Sequence, residues 1–248
     1  MFSIEPNCIH IWKLYIPEFG EYVSLLEPIL NYEELRVASD RATEIEKKRY
    51  IIVKALVRLL LSGYTGLPPA RICFTVGTFG KPVLAIAGGE RLRFNITHAG
   101  DAAAVALSTD SELGVDIEQV RPEAKIVDIT DYTFTGEEKA FLYGTDEKNR
   151  VHRFFSLWSK KEALIKAVGG SMAIDADRTS VLGPPDHTGW STAAFQDETA
   201  DWYLYEFTPF PGYSGALCTD AARPELLFKR LSLEYFQDMF HNSNHQFL

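Results

Sequence analysis

Cysteine is scarce in this 248-residue chain. Its three cysteines, Cys8, Cys73 and Cys218, are odd in number and widely spaced. Disulfide frameworks and zinc sites need pairs or clusters of cysteine at short spacing, so neither is predicted. We expect the three thiols to be small buried hydrophobic side chains in a reducing cytosol.

Long hydrophobic runs are also missing. No stretch approaches the roughly 20 apolar residues that a membrane span needs. The opening MFSIEPN lacks a basic region followed by an apolar one, so no signal peptide is predicted. The net charge is −9, and a nucleic-acid binder usually has a basic excess. We therefore expect a cytoplasmic protein that binds neither membrane nor nucleic acid.

The acidic excess lies in the second part of the chain. Residues 1–110 hold 12 basic and 12 acidic residues, whereas residues 111–248 hold 13 basic and 22 acidic ones. Two interpretations are open: a plain acidic surface, or two halves with different tasks, carboxylates in one and cations in the other. Glycine-rich P-loop and dinucleotide fingerprints are absent, so the common ATP and NAD folds are not supported.

Hydrophobic residues make up 46% of the chain, enough for the core of one large domain or two ordinary ones. An alternating, β-branched and aromatic stretch predicts a strand over 8–16. Helical spacing predicts a helix from Asp40 to Ser62 that ends at Gly63, with Thr43 and Glu46 as its capping box. Further short strands are predicted at 72–76, 83–86, 92–97 and 102–108.

The second part has a similar organisation. A capping box at Thr135 and Glu138 predicts a short helix, and a long helix is predicted over 147–168, before Gly169. The predicted strands are 113–120, 202–207, 213–219 and 226–233. Each half, 1–110 and 111–248, thus combines a long helix with short strands, which predicts an α+β fold and hints at a duplicated unit.

The stretch GVDIE (114–118) places two acids on one face of a strand. Because side chains alternate, Asp116 and Glu118 point the same way while Val115 and Ile117 point into the core. Adjacent carboxylates repel unless a cation or solvent separates them, and Mg²⁺ is a common reason for such a pair. The alternative is an exposed edge-strand face.

The stretch SLWSKKEALIKAVGG (156–170) is a charged amphipathic helix. Trp158, Glu162 and Lys166 recur at spacings of four and lie on one face. Glu162 and Lys166 either face a substrate or form an ordinary exposed ion pair. Trp158 is expected to anchor the core, and Lys160 and Lys161 to be solvated.

Three other stretches offer groups for a phosphate. RFNITHAG (93–100) ends a strand in a hydroxyl, an imidazole and free backbone N–H groups, from Thr97 and His98 onward. TFGKP (78–82) is a tight turn that carries Lys81. The first long helix carries Arg49, Lys54 and Arg58. Each stretch also has a plain structural explanation as a surface residue, a turn or a solvated helix face.

Together these groups are three acids able to hold Mg²⁺ and several cations and donors able to hold phosphates. That combination is typical of phosphoryl-type transfer, in which positioning and charge neutralisation supply most of the catalysis.

The ordered set FGKP, FNITH, GVDIE and LWSKKEALIKAVGG resembles the 4′-phosphopantetheinyl transferase superfamily. In particular it is similar to the long, monomeric, surfactin-synthetase-activating class, over about residues 40–220. This class activates nonribosomal peptide and polyketide synthetases. The resemblance implies two similar α+β halves related by a pseudo-twofold axis, each with a long helix packed on a small, mostly antiparallel sheet. Coenzyme A would bind in the cleft between them.

The resemblance also implies roles for individual residues. Asp116, Glu118 and Glu162 would bind Mg²⁺, with Mn²⁺ as a possible substitute, and Asp116 and Lys166 would lie against the pyrophosphate of coenzyme A. The remaining implied contacts are those of Arg49 and His98 with the 3′-phosphate, and those of Gly80, Lys81, Pro82 and Thr97 in the nucleotide site.

This chain departs from the family pattern at two places. Thr97 stands where serine is frequent, which keeps the hydroxyl. Residues 33–36 are Glu, Glu, Leu and Arg where some members carry further basic residues near the 3′-phosphate.

The implied reaction is transfer of 4′-phosphopantetheine from coenzyme A to a serine of an acyl or peptidyl carrier protein, with release of 3′,5′-ADP. Asp116, Glu162 and Lys166 would be the catalytic residues, with Glu162 as general base, directly or through a water on the metal. The alternatives are a Mg²⁺-dependent phosphohydrolase acting on a nucleotide and a non-catalytic coenzyme A-binding protein. Residues 120–145 are expected to contribute to the carrier surface, mainly through apolar contacts.

Overall fold

The computed structural model describes residues 2–77, 80–85, 92–122, 126–176, 179–195 and 201–244. It is a mixed α+β protein, as the sequence predicts. Its strands are β1 (Cys8–Tyr15), β2 (Phe74–Val76), β3 (Pro82–Leu84), β4 (Arg93–Ala99), β5 (Ala102–Ser108), β6 (Leu113–Gln119), β7 (Thr179–Ser180), β8 (Trp190–Phe195), β9 (Trp202–Phe207), β10 (Tyr213–Thr219) and β11 (Glu225–Arg230). Its α-helices are α1 (Val23–Leu26), α2 (Tyr32–Ser39), α3 (Glu44–Thr65), α4 (Ile126–Thr133), α5 (Gly136–Tyr143), α6 (Glu147–Val168), α7 (Met172–Asp175) and α8 (Leu233–Asn244). No helix in these ranges is long and apolar enough to cross a membrane.

The strands form two main sheets and one hairpin. The first sheet has the order β11-β1-β5-β4, the second has the order β6-β10-β9-β8-β7, and β2 pairs with β3. Pairing is antiparallel except between β1 and β11. The last strand therefore returns to the first sheet, so residues beyond 224 complete the sheet that begins with β1.

The long helices lie on the outer faces of the two sheets. Buried side chains of α3 pack with Leu14 and Val105 of the first sheet, and those of α6 pack with Leu204 and Ala216 of the second. The inner faces pack on each other, where Val115 and Ile117 of β6 meet apolar side chains of β1 and β5. The protein is thus four layers deep: helix, sheet, sheet, helix. The pseudo-twofold relation and the boundary near residue 111 stay predictions.

Helix α3 begins at Glu44, four residues after the predicted Asp40, because Asp40 ends α2 instead, and α3 also ends later than predicted. Thr43 and Glu46 form the predicted capping box at its start. Gly63 does not end the helix, because Gly63 lies inside it against the ring of Phe2, where a Cβ atom would come within 2.4 Å of Phe2 Cε2. The helix stops at Gly66, whose φ of 70° is the left-handed conformation that glycine adopts readily.

Helix α6 has the predicted bounds. Asp146 caps its first turn by accepting a hydrogen bond from the Asn149 N–H, and Gly169 ends it with a φ of 69°. The capping box of Thr135 and Glu138 is also present, at the start of α5. These features depend on residues close in sequence, which is why the sequence predicts them.

Two further predictions were wrong. The strand predicted over 226–233 ends at Arg230, and Leu233 begins α8 instead. Cys8 and Cys218 are buried as expected, but Cys73 is exposed.

Candidate active site

The edges of the two sheets meet between β4 and β6. Asn95 and Thr97 lie two residues apart on the same face of β4 and point at the free edge of β6. Asn95 Oδ1 accepts a hydrogen bond from Val115 N at 2.9 Å, and Thr97 Oγ1 accepts one from Ile117 N at 3.3 Å. Side chains of one sheet thus satisfy the edge of the other, and they fix GVDIE beside FNITH. The role of Asn95 went unnoticed in the sequence, although its i, i+2 spacing from Thr97 was the signal.

Helix α6 lies against β6 because Gly114 has no side chain. A Cβ atom at Gly114 would come within 2.1 Å of Ala163 O and 2.4 Å of Ala167 N. Glycine in GVDIE and two alanines in α6 therefore let the helix backbone approach the strand. This close approach brings Glu162 and Lys166 beside Asp116.

Asp116 is at the centre of the site and is 3% exposed. Its Oδ1 accepts hydrogen bonds from Lys166 Nζ at 2.6 Å and from Thr97 Oγ1 at 3.0 Å. Its Oδ2 is buried and has no hydrogen-bond partner among the residues that the structure describes. Burial raises the pKa of Asp116, although the charge of Lys166 acts in the opposite direction. One oxygen of this carboxylate is therefore held by hydrogen bonds, and the other receives none from the described part of the chain.

Glu118 and Glu162 are partly buried acids near Asp116. Burial, and then the charge of Asp116, raise the pKa of Glu118 to about 7, against the lowering effects of Lys166 and of a hydrogen bond from Trp158. Burial raises the pKa of Glu162, and Asp116 adds to that increase while Lys166 opposes it. The three acids thus interact electrostatically, which is a charge arrangement that a divalent cation would relieve.

Among the described residues, no group of three or more His, Cys, Asp or Glu side chains is arranged to hold a metal ion. What fits a hard cation is the donor set, all carboxylate oxygens, together with the unpartnered Oδ2 of Asp116.

A second group of charges lies toward α3. Arg49 Nη2 donates to Asp101 Oδ1, in the turn between β4 and β5. His98 lies on the surface at the end of β4, where desolvation and then the charges of Lys166, Arg41 and Lys54 lower its pKa. Arg41 went unnoticed in the sequence because it precedes the helix cap, where no periodic pattern marks it.

Lys81 connects the β2–β3 hairpin with β6 and α6. Its Nζ donates to Leu113 O and to Ala167 O, both at 3.1 Å, and lies 3.7 Å from Glu112 Oε2. Gly80, with a φ of 88°, and Pro82 bracket it. Lys81 thus ties the β2–β3 hairpin to the end of α6. Thr78 and Phe79 of the TFGKP stretch lie outside the described residues.

The prediction that Lys160 and Lys161 are solvated was wrong. Lys160 is buried and its Nζ lies 3.0 Å from Glu206 Oε1. Lys161 is 0% exposed, and its Nζ bonds Glu138 Oε2 at 2.9 Å and Thr179 O at 3.0 Å. Lysine is buried in this way only when its charge is paired, so these residues are part of the framework.

Glu34, in the stretch 33–36 that departs from the family pattern, is also part of the framework. Glu34 Oε2 accepts from Arg58 Nε at 2.7 Å, and both side chains are largely buried. Glu34 also forms a capping box with Asn31 at the start of α2. The sequence left open whether Arg58 is solvated or binds a phosphate. In the structure it does neither, because its side chain is buried against Glu34.

A family model and three relatives of known name all match this chain to the same superfamily. The family model of the 4′-phosphopantetheinyl transferase superfamily matches residues 112–218. The chain is 31% identical over 166 residues to the 4′-phosphopantetheinyl transferase AcpT of Escherichia coli O157:H7, across 66% of this chain and 77% of AcpT. It is 30% identical over 177 residues to the 4′-phosphopantetheinyl transferase ffp of Bacillus subtilis, across 71% of this chain and 75% of ffp.

The chain belongs to this superfamily. It is also 26% identical over 202 residues to the 4′-phosphopantetheinyl transferase HetI of Nostoc sp. strain PCC 7120, across 81% of this chain and 83% of HetI. The family resemblance inferred from the motifs is therefore confirmed. The segment matched by the transferase family model contains Asp116, Glu118, Glu162 and Lys166, whereas Arg49 and His98 precede it.

Proposed function

We infer that this chain transfers the 4′-phosphopantetheine arm of coenzyme A to a serine hydroxyl of acyl or peptidyl carrier proteins. The observation that carries this inference is the contact of Asp116 with Lys166 and Thr97, at a seam where Glu118 and Glu162 also lie. This arrangement provides acids and a cation side by side, as transfer of a charged phosphoryl group requires. Membership of the transferase superfamily gives the reaction.

Asp116, Glu118 and Glu162 are the residues proposed to hold Mg²⁺. The unpartnered Oδ2 of Asp116 supports this proposal, as do the raised pKa values of Glu118 and Glu162. A bound Mg²⁺ would neutralise and orient the pyrophosphate of coenzyme A. Mn²⁺ has the same preference for oxygen ligands and is the proposed substitute.

Lys166 and Glu162 are the residues proposed to act on the reacting atoms. Lys166 is about one-third exposed, so its ammonium can contact a phosphate while it stays near Asp116. There it would offset the charge that develops on the departing 3′,5′-ADP. Glu162 would accept the proton of the carrier serine as the serine oxygen bonds to the phosphorus that bears pantetheine. Its place beside Asp116 and Lys166 puts a carboxylate oxygen next to the proposed phosphate position, where it can act as this base.

The nucleotide end is proposed to lie toward α3 and the β2–β3 hairpin. Arg49 and His98 would hold the 3′-phosphate, and the positive charges of Lys166, Arg41 and Lys54, which act on His98, would also attract it. Gly80, Lys81 and Pro82 would line the nucleotide site beside Thr97. Because Lys81 already bonds Leu113 O and Ala167 O, its proposed contribution is to fix the hairpin against the site.

The carrier protein is proposed to dock on α4 and α5. Four large apolar side chains there are exposed, Tyr132 by 89% and the others by less than half: Ile129, Tyr132, Phe141 and Tyr143. Exposed apolar groups in one short segment favour a protein contact. This surface lies within the predicted range 120–145 and supports docking through apolar contacts.

A single chain is proposed to suffice for the reaction. The proposed phosphate ligands Arg49 and His98 belong to the first half, and the acids belong to the second, so one molecule supplies both ends of the cleft. This supports a monomer with two similar halves, 1–110 and 111–248. We also propose that the protein acts in the cytoplasm, without nucleic acid or membrane.

The test is incubation of the purified protein with an apo-carrier protein, coenzyme A and Mg²⁺, followed by mass spectrometry of the carrier. We expect the mass of one phosphopantetheine to be added, and the addition to stop when a chelator removes Mg²⁺. Release of phosphate without a carrier protein would favour a phosphohydrolase. Coenzyme A binding without turnover on any carrier would favour a non-catalytic binding protein.

A further inference from the structure

An acid lies against one of the proposed phosphate ligands. Asp101 occupies the turn between β4 and β5, three residues after His98, and its Oδ1 accepts a hydrogen bond from Arg49 Nη2. The two side chains are 38% and 40% exposed, so both are open to solvent and to a ligand.

The carboxylate of Asp101 is not what holds this turn. The backbone N–H of Asp101 donates to Tyr213 Oη at 3.1 Å, and its backbone carbonyl accepts from Ile16 N at 2.8 Å. Gly100 supplies the positive φ of 53° that the turn needs. Because the backbone contacts fix the turn, the carboxylate can be changed without removing them.

The surroundings of this pair are basic. The cations that lower the pKa of His98 are Lys166, Arg41 and Lys54. A 3′-phosphate carries between one and two negative charges near neutral pH, and a guanidinium binds a carboxylate and a phosphate with the same planar donors. Asp101 and a phosphate would therefore compete for Arg49, and their like charges would repel.

We propose that Asp101 is a specificity-determining residue that lowers the preference of this site for nucleotides with a 3′-phosphate over nucleotides without one. The proposal rests on the proposed function, which places the 3′-phosphate at Arg49. In the free protein Asp101 neutralises Arg49, and in the complex its negative charge remains beside that of the phosphate.

The test compares two nucleotides that differ in this group, 3′,5′-ADP and 5′-AMP, by isothermal titration calorimetry. Asp101→Asn keeps the shape of the side chain and removes its charge. We expect the variant to bind 3′,5′-ADP about two- to fivefold more tightly, the size typical of exposed ion pairs, and 5′-AMP with unchanged affinity. The gain should shrink as KCl is raised, because salt screens exposed charges.

Two further variants make the result specific. Asp201→Asn removes one negative charge from an exposed residue elsewhere and should change neither affinity. Arg49→Gln should weaken binding of 3′,5′-ADP, and adding Asp101→Asn to it should give a smaller gain than in the unchanged protein, because only the like-charge repulsion is then removed. Equal tightening for both nucleotides would overturn the proposal, since it would reflect net charge alone. Weaker binding of 3′,5′-ADP by Asp101→Asn would also overturn it, because Asp101 would then orient Arg49 for the phosphate.

The carrier assay separates this proposal from the proposed function. If the carrier gains phosphopantetheine but the two nucleotides respond identically to Asp101→Asn, the specificity proposal fails and the function stands. If no carrier is modified while Asp101→Asn selectively tightens 3′,5′-ADP binding, the specificity proposal stands for a nucleotide-binding protein and the transferase proposal fails.

Discussion

Arg58 of α3 and Lys161 of α6 each lie fourteen residues after the first residue of their helix. Both side chains are buried, and each pairs with the third residue of a capped helix, Glu34 of α2 or Glu138 of α5. Each cation also donates to backbone carbonyls of the segment that follows its helix, such as Ile72 O for Arg58. The same kind of buried ion pair thus holds together a long helix, a short helix and a following segment in each of the two predicted halves.

The two helices differ one residue further on. Glu162 of α6 corresponds in position to Leu59 of α3, and Lys166 corresponds to Gly63. Leu59 is buried in the first core, and Gly63 packs against Phe2. The framework is therefore repeated while the acid and lysine of the site are not. This repetition supports the predicted relation between the halves, and the difference assigns the proposed chemistry to the second.

Removing either buried cation should have the largest effect on stability. Arg58→Met and Lys161→Met would each leave a buried glutamate without its partner, at a cost of about 3–5 kcal/mol in the free energy of unfolding. Urea denaturation at neutral pH measures this loss. If the device is equivalent in the two halves, the two losses should be similar.

The exposed Lys148 provides the control on the same helix as Lys161. Lys148→Met should change stability by less than about 0.5 kcal/mol. Combining Lys161→Met with Glu138→Gln, which keeps a side-chain oxygen to accept the hydrogen bond from the Thr135 N–H, should recover part of the loss. A fully stable Lys161→Met protein would contradict the structural role given to this pair.

Removing an acid of the site should abolish most activity and leave the fold intact. We expect Asp116→Ala or Glu162→Ala to reduce transfer by about 10²-fold or more, because a charge-stabilising group is lost. The rate of carrier modification, followed by mass spectrometry, measures this reduction. The matched control is Glu147→Ala, at the exposed start of α6. Near-normal transfer by either variant would remove that residue from the mechanism.

Acid should destabilise the first half through His10. Its ring is buried, with Nδ1 2.6 Å from Tyr64 Oη, and burial lowers its pKa to about 4 from the usual 6.5. A histidine with a lowered pKa is neutral in the folded protein but takes up a proton more readily when unfolded. The free energy of unfolding is therefore highest above pH 6.5 and decreases as the pH falls toward 4. Between pH 7 and pH 5 the loss should be about 2 kcal/mol.

The measurement for His10 is urea denaturation at the two pH values, with His10→Gln as the comparison. The variant does not charge, so its stability should fall less between pH 7 and pH 5. Hydrogen exchange in α3 and α6 would show whether the acid effect starts in the first half. An identical pH dependence of the two proteins would exclude His10 as the cause.

The two lysines at opposite ends of α6 should differ most clearly in catalysis. Lys166→Ala should lower the rate of transfer about tenfold or more, since the group that offsets the charge of the leaving ADP is lost. Lys148→Ala should leave the rate unchanged, because its side chain is exposed near the start of the helix. Equal rates for the two variants would mean that the face of α6 assigned to the substrate is wrong.

Much of the local structure was predictable from the sequence. The capping boxes at Thr43 and Thr135 and the bounds of α6 depend on residues a few positions apart. The alternation of Asp116 with Val115 and Ile117 is likewise a property of any strand. The end of α3 was not predictable, because the position of Gly63 inside the helix depends on its contact with Phe2.

Whether each charged side chain is solvated or paired was much harder to predict. Lys160 and Lys161 look solvated because their partners, Glu206 and Glu138, are distant in sequence. The sequence likewise offered Arg49 as a free cation, although it pairs with Asp101 of a remote turn. A charge pattern along one helix identifies its faces but not what lies against them.

By itself, the sequence determined which chemical groups are available and how each lies on its own element: acids alternating on a strand, and Glu162 and Lys166 one turn apart on a helix. Only the tertiary structure decided that β4 meets the edge of β6, that Lys166 contacts Asp116, and that Lys161 is buried. The physical reason is that burial and pairing are set by contacts between distant segments. The energies of those contacts decide whether a charged side chain stabilises the framework or remains available to a substrate.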